Sequence, residues 1–192
     1  MSDVHVAAIA GSLRDESYTR ASVRVALDAA EADRDVTTDL VDLRALDLPV
    51  YDGDDDDAGD AADLRERLRA ADAVVLGTPV YHGSYASPLK TALDYCGFDE
   101  FEEKTVGLLA VAGGSFPTAT LDHLRVVMRA LNAWVLPHQA ALPRVGSHFE
   151  GGELVDDDLR DRVETLGRRC VEYANIEPDP RTFEAASNVG AE

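Results

Sequence analysis

The chain has 192 residues and carries 37 acidic against 18 basic side chains, a net charge of −19. Its 45% apolar content is enough for one large core, while the charge argues against a general binder of nucleic acid or of an anionic membrane, which needs a basic face. No apolar run approaches the roughly 18 residues of a membrane span, the opening residues lack the basic cluster of a secretory leader, and Cys96 and Cys170 form neither a metal-spaced pair nor a disulfide framework; the expectation is a soluble, cytoplasmic protein.

Val4 to Ala10 is a short, mostly apolar run ending at Gly11, the pattern of a buried parallel strand. Thr19 to Ala32 places Val23, Ala26, Leu27 and Ala30 at helical spacing. Val36 to Leu43 alternates and predicts a second strand. Arg44 to Asp60, with Pro49, Gly53 and the run Asp54–Asp57, predicts a loop. Ala61 to Ala70 predicts a helix with Leu64 and Leu68 one turn apart. Ala73 to Thr78 is a very apolar third strand, which Pro79 is expected to stop. Pro88 to Tyr95 opens a helix with proline in its first turn. Thr105 to Ala112 predicts the fourth strand, and Thr118 to Ala130 a helix with Leu121, Leu124, Val127 and Met128 on one side. Ala133 to Leu136 predicts the fifth strand, and Asp156 to Ala174 a last helix with acids at its start. Residues 1–176 read as one domain, and 177–192, with Pro178 and Pro180, as a tail that is mobile or docked on a partner subunit.

Strands alternating with helices of this length mean βαβ units, a parallel sheet and right-handed crossovers. The fold class is therefore α/β, a three-layer α/β/α sandwich. Periodicity alone does not order the strands. The charge has its own texture: 24 of the acids are Asp, and Lys90 and Lys104 are the only lysines. Such self-repulsion penalises a compact chain at low ionic strength, and salt relieves it. This predicts a protein built for a high-salt cytoplasm.

In an open α/β sheet, ligands bind beyond the carboxyl ends of the strands, where strand order reverses. The loops after strands 1, 3 and 4 therefore matter most. The first is GSLRDESYTR, Gly11 to Arg20. Its hydroxyls on Ser12, Ser17 and Thr19, the guanidinium of Arg14 and the amides at a helix start suggest an anion seat. The alternative is a plain helix cap, for which one hydroxyl suffices. It is neither a P-loop nor a dinucleotide fingerprint, because no Gly-Lys pair exists and the turn has a single glycine. Asp42, near the end of the second strand, reads as a solvated strand end. The second loop, Thr78 to Lys90, offers an aromatic ring, a glycine and backbone amides that could frame a flat, polar-edged ligand. The third, Ala112 to Ser115, has glycines that allow close backbone approach. For each of these two, ordinary turn chemistry is an equal reading. Gly113 to Pro117 is not a hydrolase elbow, because proline stands where the last glycine belongs. The Asp54–Asp57 run reads as a solvated loop rather than a metal site. His123, His138 and His148 lack ligand spacing. Cys96 reads as a helix-end residue, and Trp134 as core or as part of a dimer contact.

Taken together, GSLRDESYTR, then TPVYHGSYASPLKTALDY, then AGGS before a Leu-rich helix resemble the NADPH-dependent FMN reductase family, over roughly residues 4 to 175. The first two motifs carry most of the likeness, because they occur in order at matching elements. The resemblance implies a flavodoxin-like fold with a five-stranded parallel sheet of order 2-1-3-4-5, which brings loops 1 and 3 together at the switch point. It implies that Ser12, Arg14, Ser17, Tyr18 and Thr19 hold the FMN phosphate. Pro79, Val80, Tyr81, His82, Gly83 and Ser84 would contact the ribityl chain and ring, and Gly113, Gly114 and Ser115 would border the ring on its other side. Thr19 stands where many relatives place Asn, and Val80 where many place an acid or another residue. The implied activity is a ping-pong oxidoreductase. NADPH or NADH passes hydride to the flavin and leaves, and a small-molecule acceptor such as a quinone or free flavin then takes the electrons. No acid or base is required, so no catalytic residue is assigned, and no metal is expected. His82 either hydrogen-bonds its own loop or meets a bound quinone or nicotinamide. Relatives imply a homodimer, or a dimer of dimers, with flavin sites near the interface. Two other readings stay open: a flavodoxin-type electron carrier, and a non-enzymatic α/β module whose anion seat takes another phosphate ligand.

Overall fold

Successive side chains of a strand face opposite sides of a sheet, so an all-apolar run can bury both faces at once. In the structure, a computed structural model describing residues 4–32 and 35–176, the apolar runs do this. The strands are β1 (Val4–Ala10), β2 (Val36–Asp42), β3 (Ala73–Tyr81), β4 (Ser84–Tyr85), β5 (Thr105–Val111), β6 (Trp134–Val135), β7 (Ala140–Leu142), β8 (Phe149–Glu150) and β9 (Glu153–Leu154). The helices are α1 (Tyr18–Ala30), α2 (Ala61–Ala70), α3 (Ser87–Asp94), α4 (Phe98–Phe101), α5 (Thr118–Ala130) and α6 (Asp157–Glu172). On one face Val6, Ala8, Val75 and Leu109 pack with Val23, Ala26 and Leu27 of α1 and Val163 and Leu166 of α6. On the other, Ala7, Ile9, Leu76 and Leu108 pack with α2, α3 and α5 through Leu64, Leu89 and Leu121. This is the three-layer sandwich expected. The tail assigned to 177–192 lies outside the described residues.

The main sheet has seven strands, along the path β2-β1-β3-β5-β6 with β4 beside β3 and β7 beside β5. Counting only the expected strands, this is the order 2-1-3-4-5. Three details correct the sequence reading. Pro79 does not stop the third strand, which runs on to Tyr81 with Pro79 opposite Val111. The Gly77 carbonyl accepts from the Gly11 N–H at 2.8 Å. Pro79, two residues on, thus turns its missing donor to the side where β1 has already ended. The fifth strand is broken into β6 and β7, both parallel to β5, with Pro137 in the gap. Trp134 is on the edge strand β6 and is 52% exposed, so it is not core.

The third detail is a hairpin. β3 pairs with β4, Val80 against Tyr85 and Tyr81 against Ser84, leaving a two-residue turn at His82 and Gly83. Both have positive φ, 52° and 79°, the pairing that a primed hairpin turn demands. A second hairpin, β8–β9, was not expected either; its two-residue strands are too short to show a period.

Small residues set the depth at which α1 sits. A Cβ on Gly167 of α6 would come within 1.9 Å of the Ala26 carbonyl oxygen, and one on Gly77 within 2.2 Å of Val23. The close fit of α1 against β3 and α6 aims its N-terminus at the carboxyl ends of β1 and β3.

Candidate cofactor cleft

Gly11 turns the chain sharply out of β1. A Cβ there would lie 2.9 Å from the Gly77 carbonyl oxygen and 3.0 Å from the Leu89 Cβ. The turn leads into Ser12, which is buried and whose hydroxyl oxygen accepts from the Arg14 N–H at 3.4 Å. Ser17 then caps α1, its hydroxyl oxygen accepting from the Arg20 N–H at 3.1 Å. For Ser17 the cap reading holds, and its side chain sits off the cleft floor. Thr19 is buried in the first turn of α1. Tyr18 stacks on Phe149 of β8, with ring centroids 4.4 Å apart, so the unexpected hairpin supports this loop from outside.

The three loops meet around one cleft of about 500 Å³. Of the residues the sequence pointed to, Ser12, Arg14, Tyr18, Thr19, Pro79, Val80, Tyr81, Gly113 and Gly114 line it. Five do not. Ser17 caps the helix, and His82 and Gly83 are exposed at the hairpin tip. The Ser84 hydroxyl lies 3.0 Å from His123 Nδ1 on α5. The Ser115 hydroxyl accepts from Arg144 Nε at 3.1 Å. His82 hydrogen-bonds no group among the described residues, so a role in bonding its own loop finds no partner there. Sequence reasoning missed Glu16, Val111, Val145 and Gly146, which also line the cleft. Glu16 lay inside the quoted first motif. Val145 and Gly146 are carried in by β7, and the chain there has no composition that marks it.

Two opposite charges line the cleft, the Arg14 guanidinium and the Glu16 carboxylate. Among the described residues, Arg14 makes no ion pair and its guanidinium no hydrogen bond, although most of the chain's other arginines are engaged. Asp42 is not a solvated strand end: its Oδ2 accepts from Arg20 Nη1 at 3.1 Å. Two glycines, Gly113 and Gly114, are part of the wall. A Cβ on Gly113 or Gly114 would meet nothing within 4 Å, so no protein contact requires glycine at either position, and their bareness leaves room for a flat group. This donor set and this space fit a phosphorylated planar cofactor. The cysteines stand apart: burial pushes both the Cys96 and the Cys170 thiols up to about 12, so neither is a thiolate at neutral pH. Among the described residues no group of metal-ligating side chains is assembled, and no helix is long and apolar enough to cross a membrane.

The chain is similar to known proteins over most of its length. The FMN-dependent NADPH-azoreductase of Staphylococcus aureus (strain USA300) is 37% identical over 181 residues, covering 88% of this chain and 95% of the relative. Among solved structures, an NADH:FMN oxidoreductase in its apo form superposes with a TM-score of 0.78 at 24% identity, covering 91% of this chain and 92% of the other. A flavoenzyme NAD(P)H:(acceptor) oxidoreductase from Paracoccus denitrificans superposes with a TM-score of 0.73 at 21% identity, covering 89% and 97%. These two likenesses establish the flavodoxin-like fold. The family model for NADPH-dependent FMN reductase matches residues 4–146. The cleft's three loops and the match that contains all of them lead to one assignment: the chain belongs to the NADPH-dependent FMN reductase family.

Proposed function

We propose that the cleft binds FMN and that the protein is an NAD(P)H-dependent oxidoreductase passing electrons to a small-molecule acceptor such as a quinone or free flavin. The single observation that carries this is the meeting of an unpaired Arg14 and a helix N-terminus with a glycine-walled slot in one cleft. In this reading Ser12, Arg14 and the amides of Tyr18 and Thr19 hold the phosphate. Ser17 sets the start of α1 that presents those amides. Pro79, Val80 and Tyr81 back the ribityl chain and one side of the ring, and Gly113, Gly114 and Ser115 border the other side. His82, Gly83 and Ser84 shape the hairpin at the mouth, where a nicotinamide or an acceptor enters. Bound there, FMN would supply the two-electron chemistry of a ping-pong exchange between NADPH or NADH and the acceptor. The chain's own part is to bind, orient and exclude water, so no catalytic acid or base is assigned.

The proposal extends to residues 1–176 as one FMN-binding domain and to a homodimer. Exposed apolar side chains at Phe116 (86%) and Trp134 (52%), which a partner subunit would cover, support the dimer. It also extends to a high-salt cytoplasm, for which the net charge of −19 is the support.

The test is direct. In molar KCl, titration should quench FMN fluorescence, and anaerobic NADPH should then bleach the bound flavin within a turnover time. FMN that stays fully fluorescent excludes the reading. FMN that binds but is not reduced by NADPH or NADH would leave an electron carrier instead.

A further inference from the structure

The loop that turns out of β1 shows an asymmetry between its acceptors and its donors. Three successive carbonyls are occupied by arginine side chains. Arg44 Nη1 donates to the Leu13 carbonyl at 2.5 Å, Arg20 Nη1 to the Arg14 carbonyl at 3.5 Å, and Arg20 Nη2 to the Asp15 carbonyl. The amides of Leu13, Asp15, Glu16, Tyr18 and Thr19, by contrast, find no acceptor among the described residues, and that of Arg14 reaches only Ser12, at 3.4 Å.

The two arginines share an anchor. Asp42, the last residue of β2, accepts from Arg20 Nη1 at 3.1 Å through Oδ2 and from the Arg44 N–H at 3.1 Å through Oδ1. The Arg44 guanidinium also pairs with the Asp15 carboxylate. Asp42 lies opposite Ala10 in the ladder, and the next residue, Leu43, donates to the Ala10 carbonyl at 3.3 Å. The anchor is thus fixed to the strand from which the loop departs. Arg20 and Asp42 keep only 25% and 23% of their side-chain surface exposed, which removes much of the water that competes for such bonds.

A dianion needs donors, and a loop carbonyl facing it is repulsive. We infer that Asp42, Arg20 and Arg44 form a positioning strap for the phosphate subsite: the arginines hold the carbonyls of residues 13–15 away from the anion, so that the amides of the same turn stay directed to it. The inference rests on the FMN reading of the cleft. It assigns Asp42, an acid close to an anion seat, a favourable part in binding that anion, which is the reverse of what its charge alone predicts.

The experiment compares FMN with riboflavin, which has the same ring and ribityl chain but no phosphate. Dissociation constants for both are measured by fluorescence quenching for wild type, Asp42→Ala and Arg20→Lys, with thermal melts of each. The strap predicts that both variants weaken FMN about tenfold or more, the effect of a lost charged hydrogen bond, while riboflavin changes by less than about twofold. Arg20→Lys keeps the positive charge and loses the fork, so it decides the matter if Asp42→Ala does not fold. FMN binding that is unchanged or tighter in Asp42→Ala, as simple removal of a negative charge predicts, overturns the strap. So does an equal loss for the two flavins, which marks a general effect on the fold. A wild-type protein that does not prefer FMN to riboflavin overturns the FMN reading itself, and that result is visible before any substitution is made.

Discussion

Arg14 and Glu16 line the same cleft with opposite charges, and their substitutions should act with opposite signs. Arg14 is the cation lining the cleft, and no carboxylate pairs with it among the described residues, so its guanidinium is free for a phosphate. Arg14→Ala should weaken FMN by at least about tenfold, as expected when a charged hydrogen bond is lost. Glu16 is an exposed carboxylate lining the same cleft, where the proposed phosphate would meet it. Its repulsion is screened by water, so Glu16→Gln should tighten FMN only about two- to fivefold. An equilibrium titration of both variants checks the pair. FMN binding that Arg14→Ala leaves untouched would place the phosphate elsewhere, and weakening by Glu16→Gln would mean the carboxylate accepts a bond from the ligand. Arg14 was legible because a guanidinium among hydroxyls at a strand end has few other uses. Glu16 was not, because a single acid in so acidic a chain carries no signal. Asp42 was misread for a related reason: its partner, Arg20, is 22 residues away, and only the fold shows that they meet.

The elements behind the cleft are held by close backbone approaches and, between α2 and β2, by one bidentate pair. Gly167 lets α6 touch α1 at Ala26, where an added methyl would lie 1.9 Å from a carbonyl oxygen. Backbone on both sides leaves nothing flexible to yield, so Gly167→Ala should cost about 3 kcal/mol or more, with denaturant unfolding as the measurement. A loss under about 0.5 kcal/mol would show that the helices separate easily. Arg67 of α2 clasps Asp39 of β2, with Nε and Nη2 at 2.7 and 2.6 Å from the two carboxylate oxygens. That hydrogen bonding holds the Asp39 carboxyl below its ordinary value, against the opposing effect of burial. A carboxyl lowered in the folded state adds stability that is present above its unfolded value near 4 and fades as pH falls through the folded one. Asp39→Asn should therefore cost about 1 kcal/mol at pH 7, discounted for partial exposure, and the gap from wild type should close as the pH falls through the lowered folded-state value of Asp39. A gap that persists in acid would mean that packing, not charge, holds the pair. Among the elements, the long apolar runs and α2 were readable because burial on both faces leaves no polar residue to blur the pattern. The split of the fifth strand, the continuation past Pro79 and the β8–β9 hairpin were not. Each depends on which neighbour a backbone group faces, a property of the assembled sheet and not of a local period.

The charge of the chain as a unit bears on both stability and cofactor capture. Asp15, Asp39, Asp42 and Asp57 are held by arginines, but the chain has about twice as many acids as bases, and Asp52 and Asp54–Asp56 lie on an exposed loop. The surplus repels itself over distances set by the Debye length, about 30 Å at 0.01 M salt and about 3 Å at 1 M. The midpoint of thermal unfolding should therefore climb steeply as KCl rises to about 1 M and flatten beyond it. The same surplus repels an incoming dianion. The association rate of FMN should accordingly rise with salt, opposite to the fall seen when a basic protein captures an anion. In the proposed site a bound phosphate would meet Arg14 at short range, where salt acts in the usual direction and should raise the dissociation rate. Stopped-flow quenching across a KCl series separates the two rates. An association rate that falls with salt would show that the field at the cleft mouth is set by Arg14 rather than by the surplus acids, and a melting temperature flat across the series would mean that those acids do not strain the fold.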